Sequence, residues 1–206
     1  MSSGALPIKA IVFDCFGVIY NDTFRDFLGR HAGQLQKPLS YYRDLQRQSD
    51  LGKLSDADFY INVAAAASEM TPATVEAERN DLSGLDQAVV RLIASLKPDY
   101  KIGMLSNVDA DFFQQFLDNH GIRDLFDVVI ASSETGYVKP QPEIFRLLLR
   151  RLGVGAGEVV FIDDRLGNVQ VAAQLGMSSI LFENAEQTER ELQQRLQSGS
   201  SDSKSG

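Results

Sequence analysis

Six polar side chains stand at the ends of short apolar runs or on the loops that leave them. They are Asp14, Ser106, Asn107, Lys139, Asp163 and Asp164. An adjacent pair of carboxylates, with a third from another loop, supplies the oxygen ligands that Mg²⁺ favours. The carboxylate of Asp14 could attack phosphorus and form an acyl-phosphate that water later hydrolyses. The residue types therefore predict metal-assisted hydrolysis of a phosphorylated molecule.

The other members of this set would serve the transferring phosphoryl group. Lys139 would neutralise its charge and hold Asp14 ionised, while the Ser106 hydroxyl would donate a hydrogen bond to a phosphoryl oxygen. Removing one such donor typically costs about 2.7–4 kcal/mol of transition-state stabilisation. We therefore predict catalytic roles for Asp14, Ser106 and Lys139, and substrate binding by Ser106, Asn107 and Lys139.

Five apolar runs predict the strands that would position these side chains. They are Lys9–Phe13, Lys101–Ser106, Asp127–Ala131, Val159–Asp163 and Ser178–Phe182. The runs lack the alternation of a half-exposed strand, which favours a parallel sheet buried on both faces. Helical patterns between them end at Gly121, Gly153 and Gly176, where a left-handed residue is expected. This order predicts right-handed βαβ crossovers and a Rossmann-like α/β core.

The predicted sheet explains how distant residues could form one site. Ligands of open parallel sheets bind beyond the carboxyl ends of the strands. Asp14, Ser106 and Asp163 lie at three such ends, and Lys139 lies on the loop after the third strand. We therefore expect these side chains to converge.

The segment from residue 23 to residue 85 is helical in pattern almost throughout. It contains one clear turn, Leu51-Gly52-Lys53-Leu54, followed by Ser55 in a position to cap a helix. Because a block of this length exceeds a single crossover, we predict an all-helical cap at 23–85, inserted into a core formed by 1–22 and 86–196. The Ser/Gly-rich end, 197–206, predicts a disordered tail.

Four side chains of the predicted cap leave two interpretations open. Tyr41, Tyr42, Arg43 and Arg47 could face the mouth of the site and select the substrate. The tyrosines could instead pack the interior of the cap, which is the favoured interpretation for them.

Composition narrows the class of function. The formal charge of −8, with no basic stripe, argues against nucleic acid or an anionic membrane surface as a partner. No apolar run approaches the roughly 18 residues of a membrane span. The single cysteine, Cys15, fits a reducing compartment, and its apolar neighbours favour a small buried residue over a nucleophile. We expect a cytoplasmic enzyme of small-molecule metabolism.

Four stretches of the sequence resemble, in order, the motifs of the haloacid dehalogenase superfamily. They are IVFDCFGVI, MLSNVD, GYVKPQPEIF and FIDDRLGNVQVAAQLGM. The resemblance implies that Asp14 is the nucleophile, and that Mg²⁺ is held by Asp14, the backbone carbonyl of Phe16 and Asp163 or Asp164. The turn at Gly52 looks most like the branch of small sugar-phosphate phosphatases with helical caps. A small phosphorylated metabolite is then the expected substrate, and a monomer or homodimer the expected assembly.

One position departs from the phosphatase pattern. Most phosphatases of this superfamily carry a second Asp two residues after the nucleophile, as general acid and base, where this chain has Phe16. General acid–base catalysis of this kind usually raises the reaction rate about 10²–10⁴-fold. An aromatic residue there also resembles 2-haloacid dehalogenases, which need no metal, although Asp163-Asp164 is the metal-binding form of the fourth motif. Three functions stay open: a phosphatase, a 2-haloacid dehalogenase-type hydrolase, and a catalytically degenerate binding protein of the same fold.

Overall fold

The computed structural model describes residues 6–81 and 84–198, and a five-stranded parallel sheet lies at the centre of this part of the chain. The strands are β1 (Ala10–Phe13), β2 (Lys101–Ser106), β3 (Val128–Ala131), β4 (Val159–Asp163) and β5 (Ser178–Leu181). Their order across the sheet is β3-β2-β1-β4-β5. The predicted Rossmann-like parallel core is confirmed.

The register of the strands sets their carboxyl ends side by side. Phe13 at the end of β1 pairs with Met104 of β2 and with Ile162 of β4. Asp14, Ser106 and Asp163 consequently leave the sheet at the same edge, next to one another. This is the edge at which the sequence placed the site.

Nine α-helices lie in the described part of the chain. They are α1 (Thr23–Arg30), α2 (Leu39–Asp50), α3 (Asp56–Ala65), α4 (Pro72–Asp81), α5 (Gln87–Leu96), α6 (Ala110–Asn119), α7 (Pro142–Leu152), α8 (Leu166–Gln174) and α9 (Ala185–Ser198). The end of α7 matches the prediction, because Gly153 closes the helix at φ +68°, and Pro142 occupies its first position. Gln197 and Ser198 of the predicted tail belong to α9, and 199–206 lie outside the described residues. No helix of the described residues combines the length and the apolar character needed to cross a membrane.

Both faces of the sheet are covered, which explains the continuous apolar runs. Alternate residues of β1 point to opposite sides, so that Ile11 and Phe13 join one buried cluster and Ala10 and Val12 the other. The first cluster includes residues of α5, α6 and α9, and the second includes residues of α7 and α8. The buried core thus fixes the sheet whose edge carries the site.

The helices α1–α4 share a hydrophobic cluster of their own between β1 and α5. Its largest members are Phe24, Phe27, Tyr42 and Phe59. Tyr42 is fully buried and donates its hydroxyl proton to the carbonyl of Ala66, so this tyrosine packs the helical unit and does not face a substrate. The limits 23–85 of the predicted cap stay a prediction, since residues 82–83 lie outside the described part.

A hydroxyl group ties the helical unit to the core. Ser132, fully buried after β3, donates its Oγ proton to the carbonyl of Asp50 at the end of α2. The same oxygen accepts the N–H of Val108 at 2.9 Å. The end of α2 is therefore held directly over the carboxyl edge of the sheet.

The loop after β1 needs a glycine at one position. Gly17 has φ +93°, and a Cβ there would lie 2.5 Å from Oδ2 of Asp164. The turn is closed by the N–H of Tyr20, which donates to the Cys15 carbonyl at 3.0 Å. The loop therefore packs directly against the Asp164 carboxylate.

We predict that Gly17→Ala destabilises the protein and displaces Asp164. The backbone conformation alone should cost about 1–2 kcal/mol with a side chain present, and the overlap with Asp164 adds to that. Gly167→Ala in α8 is the matched control, because nothing lies within 4 Å of a Cβ there and its φ is not positive. Urea unfolding should show a lower free energy for Gly17→Ala and none of this loss for Gly167→Ala. Equal stability of Gly17→Ala and wild type would contradict the packing described.

Candidate active site

A buried ammonium group joins two strands at the carboxyl edge. Lys139 Nζ lies 2.8 Å from Oδ1 of Asp14 and 2.7 Å from Oδ2 of Asp163. All three residues are at most 5% exposed. Because Asp14 follows β1 and Asp163 ends β4, the lysine holds these two loops together.

Asn107 places that lysine. Its Oδ1 accepts the backbone N–H of Lys139 at 2.8 Å, and its Nδ2 donates to the Lys139 carbonyl at 3.0 Å. This two-point contact fixes the loop after β3 to the end of β2. Asn107 also lines the cavity above the sheet, and its predicted contact with substrate stays a prediction.

Asp163 has partners on both carboxylate oxygens. Besides Lys139, it accepts two hydrogen bonds from Asn168 Nδ2, at 2.8 and 2.9 Å, and one from the backbone N–H of Arg165 at 2.9 Å. Asn168 is 4% exposed in the first turn of α8. The motif that carries Asn168 was recognised in the sequence, but its role was not. A lone amide in an otherwise apolar turn was the available signal.

Asp164 differs from its neighbour because half of its carboxylate is without a partner. Oδ2 accepts a hydrogen bond from Arg25 Nη1 at 2.8 Å. Oδ1 is buried and has no hydrogen-bond partner among the described residues. Oxygen atoms of Asp14, Asp163 and Asp164 all lie within 4.8 Å of one another, which is a spacing that a single cation can bridge.

Burial and mutual charge shift the pKa values of three groups at the site. Burial raises the pKa of Asp14 well above its usual range, against the opposing effect of Lys139, and the charges of Asp163 and Asp164 raise it further. Burial, followed by the charge of Asp163, likewise raises the pKa of Asp164. Burial acts to lower the pKa of Lys139, but the charges of Asp14 and Asp163 outweigh it and the net shift is upward. The cluster therefore favours any additional positive charge.

Cys15 takes no part in this chemistry. It is fully buried, and burial, followed by the charge of Asp14, raises the pKa of its thiol well above the usual value. A thiolate is therefore disfavoured, in agreement with its interpretation as a small buried residue.

Two further predicted residues face the same cavity. Ser106 is 1% exposed, and its Oγ has no hydrogen-bond partner among the residues that the structure describes. Phe16 is partly buried, with ring centroids of Tyr20 and Phe116 at 5.9 and 5.7 Å. The position that carries an acid in most related phosphatases is thus part of an aromatic cluster.

The cavity lies between the sheet edge and the helical unit. Its floor includes Asp14, Ser106 and Lys139, and its roof includes Phe24, Asp50 and Phe59. Six of the predicted site residues, the set with which the sequence analysis began, are therefore brought into one region of the fold, and Phe16 joins them at the cavity wall.

Two ion pairs that were not predicted join α1 and its N-cap residue to the loop after β4. Arg25 pairs with Asp164, and Arg165 Nη2 lies 3.1 Å from Oδ2 of Asp22. These partners are 139 and 143 residues apart in sequence. Such separations leave no local pattern from which to predict the contacts.

Three named relatives align with most of the chain. A sesquiterpene phosphatase, astK, of Aspergillus oryzae is 26% identical over 90% of this chain and 95% of its own length. A D-ribitol-5-phosphate phosphatase of Bacteroides thetaiotaomicron is 27% identical over 90% and 97%. An (S)-2-haloacid dehalogenase of Xanthobacter autotrophicus is 30% identical over 83% and 73%.

A solved structure and a protein family also match this chain. A solved HAD-like family hydrolase from Porphyromonas gingivalis superposes with a TM-score of 0.70 and 26% identity, over 92% of this chain and 98% of its own. The sequence model of the haloacid dehalogenase-like hydrolase family matches residues 8–176, which include the whole carboxylate cluster and its lysine. By sequence, fold and the order of its site residues, the chain belongs to the haloacid dehalogenase-like hydrolases.

Proposed function

We propose that the protein is a Mg²⁺-dependent phosphatase that removes phosphate from a small metabolite, such as a sugar phosphate, through an aspartyl-phosphate on Asp14. The observation that carries the proposal is the cluster of three carboxylates, two of which are paired with the buried Lys139. The names of two relatives, a sesquiterpene phosphatase and a D-ribitol-5-phosphate phosphatase, support the same class of reaction.

The donor set fits a magnesium ion. Asp164 is the direct ligand in this proposal, because its buried Oδ1 has no partner among the described residues. Asp163 has both oxygens occupied by protein donors, so it orients Lys139 and the loop from outside the coordination sphere. Asp14 and the backbone carbonyl of Phe16 complete the protein ligands. When bound, Mg²⁺ would screen Asp14 from a phosphate dianion and polarise the phosphoryl oxygens.

Asp14 performs the covalent step. One of its carboxylate oxygens attacks phosphorus, the bond from phosphorus to the substrate oxygen breaks, and an acyl-phosphate forms as the alkoxide leaves. Lys139 Nζ and Ser106 Oγ stabilise charge on the phosphoryl oxygens. Water then attacks phosphorus and restores Asp14, with release of inorganic phosphate.

The leaving alcohol lacks the usual proton donor. The ring of Phe16 cannot supply a proton, so departure depends on the acidity of the alcohol itself or on a proton from water or from another acid of the cavity, such as Asp50. This should make the rate of the first step unusually sensitive to the leaving group. An aromatic residue in place of the acid also makes the site compatible with a second reaction, the displacement of halide.

A 2-haloacid dehalogenase activity is the alternative that particular observations favour. Phe16 matches the aromatic residue of those enzymes, and one relative bears that name. In that reaction Asp14 would displace halide at carbon, and the resulting ester would be hydrolysed. The unpartnered Asp164 oxygen argues against it, because halide displacement needs no metal ligand.

The remaining parts of the proposal concern surroundings and partners. A helical cap that closes over the cavity suits a small substrate and excludes water. The charge of −8 disfavours nucleic acid, and one buried, unpaired cysteine suits the cytoplasm. We propose a monomer or homodimer in that compartment.

We predict Mg²⁺-dependent release of phosphate from a panel of sugar phosphates, nucleotides and terpenyl phosphates. Asp14→Asn should lower kcat/KM by at least about three orders of magnitude, since the nucleophile is lost. Asp86→Asn is the matched control, because Asp86 caps α5 away from the cavity and Asn caps equally well. Retained turnover in Asp14→Asn would contradict the mechanism.

Isotope labelling separates the two reactions in the same assay. In a single turnover in H₂¹⁸O, a phosphatase puts the label into inorganic phosphate, because water attacks phosphorus. A dehalogenase puts the label into the Asp14 carboxylate, because water attacks the carbonyl carbon of the ester, which is the carboxyl carbon of Asp14. Halide release without metal, with the label in Asp14, would show a dehalogenase and overturn the phosphatase proposal. If neither activity is detected at high enzyme concentration, the protein is a binding protein of the same fold.

We predict that Phe16→Asp flattens the dependence of kcat/KM on the pKa of the leaving alcohol. The new carboxyl group would supply a proton to poor leaving groups, a contribution usually worth about 10²–10⁴-fold. Phe16→Asn, which has a similar size and no acid, controls for loss of aromatic packing. A series of aryl and alkyl phosphates measures the slope for both variants. Identical slopes would show that the missing acid is not what limits the wild type.

A further inference from the structure

A second groove lies next to the active-site cavity, between the helical unit and the core. It lies between α1, α2 and the loop 138–141, and we call it the arginine groove after Arg43 and Arg47 in its wall. Gln46, Asp50, Asn107 and Lys139 line both the cavity and the groove. The cavity and the groove are therefore adjacent, so that a substrate bound at Asp14 would have the groove beside it.

Helix α2 presents one face to this groove and buries the other. Leu39, Arg43, Gln46, Arg47 and Asp50 line the groove, at spacings of four, seven, eight and eleven residues that place them on one side of a helix. Leu45 lies on the opposite side and Tyr42 on the flank between the two faces, and both are buried in the cluster of the helical unit. The orientation of the two arginines is thus fixed by the packing of the helix that carries them.

Arg43 and Arg47 differ from the other two arginines of the groove in their ion pairing. In the described part of the chain, no carboxylate oxygen lies within the 4.0 Å ion-pair distance of either guanidinium group. Arg25 and Arg165, in the same groove, are both paired with carboxylates. Like charges one helical turn apart destabilise a helix slightly, and this pair occurs in a protein of net charge −8. The pairing of these two charges therefore does not stabilise α2.

We propose that Arg43 and Arg47 bind a second anionic group of the substrate, a phosphate or a carboxylate, while the first phosphate reacts at Asp14. The inference rests on the proposed phosphatase function and narrows its substrate class. Along α2, Arg47 and Arg43 lie about 4.5 and 10.5 Å from Asp50 at the edge of the catalytic cavity. The second anion is therefore separated from the reacting phosphate by a carbon skeleton of several atoms.

The groove also indicates the character of that skeleton. Five apolar residues lie in its wall, Phe24, Leu28, Leu39, Val138 and Pro140, together with amide side chains such as Gln46 and Gln141. Apolar walls favour carbon–hydrogen surface, and the amide groups can hydrogen-bond to hydroxyl groups. We infer a phosphorylated compound whose two anionic ends are joined by a skeleton that includes an apolar segment.

The test compares two ligands that differ only in the second anion. Binding of hexyl phosphate and of hexane-1,6-diyl bisphosphate to the Mg²⁺-loaded Asp14→Asn protein is measured by isothermal titration calorimetry. The bisphosphate should bind about tenfold or more tightly, since two charge-assisted hydrogen bonds are gained. This preference should fall as salt is raised, because both guanidinium groups are exposed.

Arginine variants then assign the preference to the groove. R43Q/R47Q in the same background should abolish it, and R43K/R47K should keep part of it. R146Q/R150Q is the matched control, because these exposed residues on α7 have the same spacing and lie outside both cavities. Circular dichroism confirms that each variant is folded.

The outcomes separate this inference from the proposed function. Equal affinities for the two ligands in the Arg43/Arg47-intact protein, or an unchanged preference in R43Q/R47Q, would overturn the second-anion site and leave the phosphatase proposal standing. Absence of binding by both ligands, with no phosphatase turnover in the wild type, would overturn both.

Discussion

The ammonium group of Lys139, held between the carboxylates of Asp14 and Asp163, is the interaction on which the rest of the site depends. Buried charges are costly unless they are paired and hydrogen-bonded. In the part of the chain that the structure describes, the ion-pair partners of the three carboxylates are Lys139 and Arg25, so the cluster has an excess of negative charge when all three are ionised. Burial is the main cause of the raised pKa of Asp14, and the charges of Asp163 and Asp164 add to it. A divalent cation would offset the excess charge and favour the ionised form of Asp14 that attacks.

Much of the fold follows from simple patterns. Runs such as Val159–Asp163 are apolar on both sides because helices cover both faces of the sheet, and this is why their lack of alternation predicted a parallel arrangement correctly. The convergence of Asp14, Ser106, Lys139 and Asp163 follows from topology, since parallel strands end at one edge. These features depend on local periodicity and on general rules of chain connection.

Other features depend on contacts that no local pattern encodes. Asp163 and Asp164 are adjacent and identical in type, so the sequence could not predict that their environments differ. The difference arises from their partners, Asn168 for Asp163 and Arg25 for Asp164. Tyr42 and Arg43 are neighbours in sequence, yet one is buried in the helical unit and the other lines a groove. Their separation arises from the rotation of α2, which tertiary packing fixes.

The central claim is that Asp14 accepts a phosphoryl group beside a magnesium ion. A crystal structure after soaking with Mg²⁺ and beryllofluoride, which mimics an aspartyl-phosphate, tests it most directly. We expect beryllium bonded to an Asp14 oxygen, magnesium coordinated by Asp14 and Asp164, and Lys139 and Ser106 in contact with the fluorines. Magnesium outside the carboxylate cluster, or beryllofluoride that leaves Asp14 unmodified at saturating concentration, would contradict it.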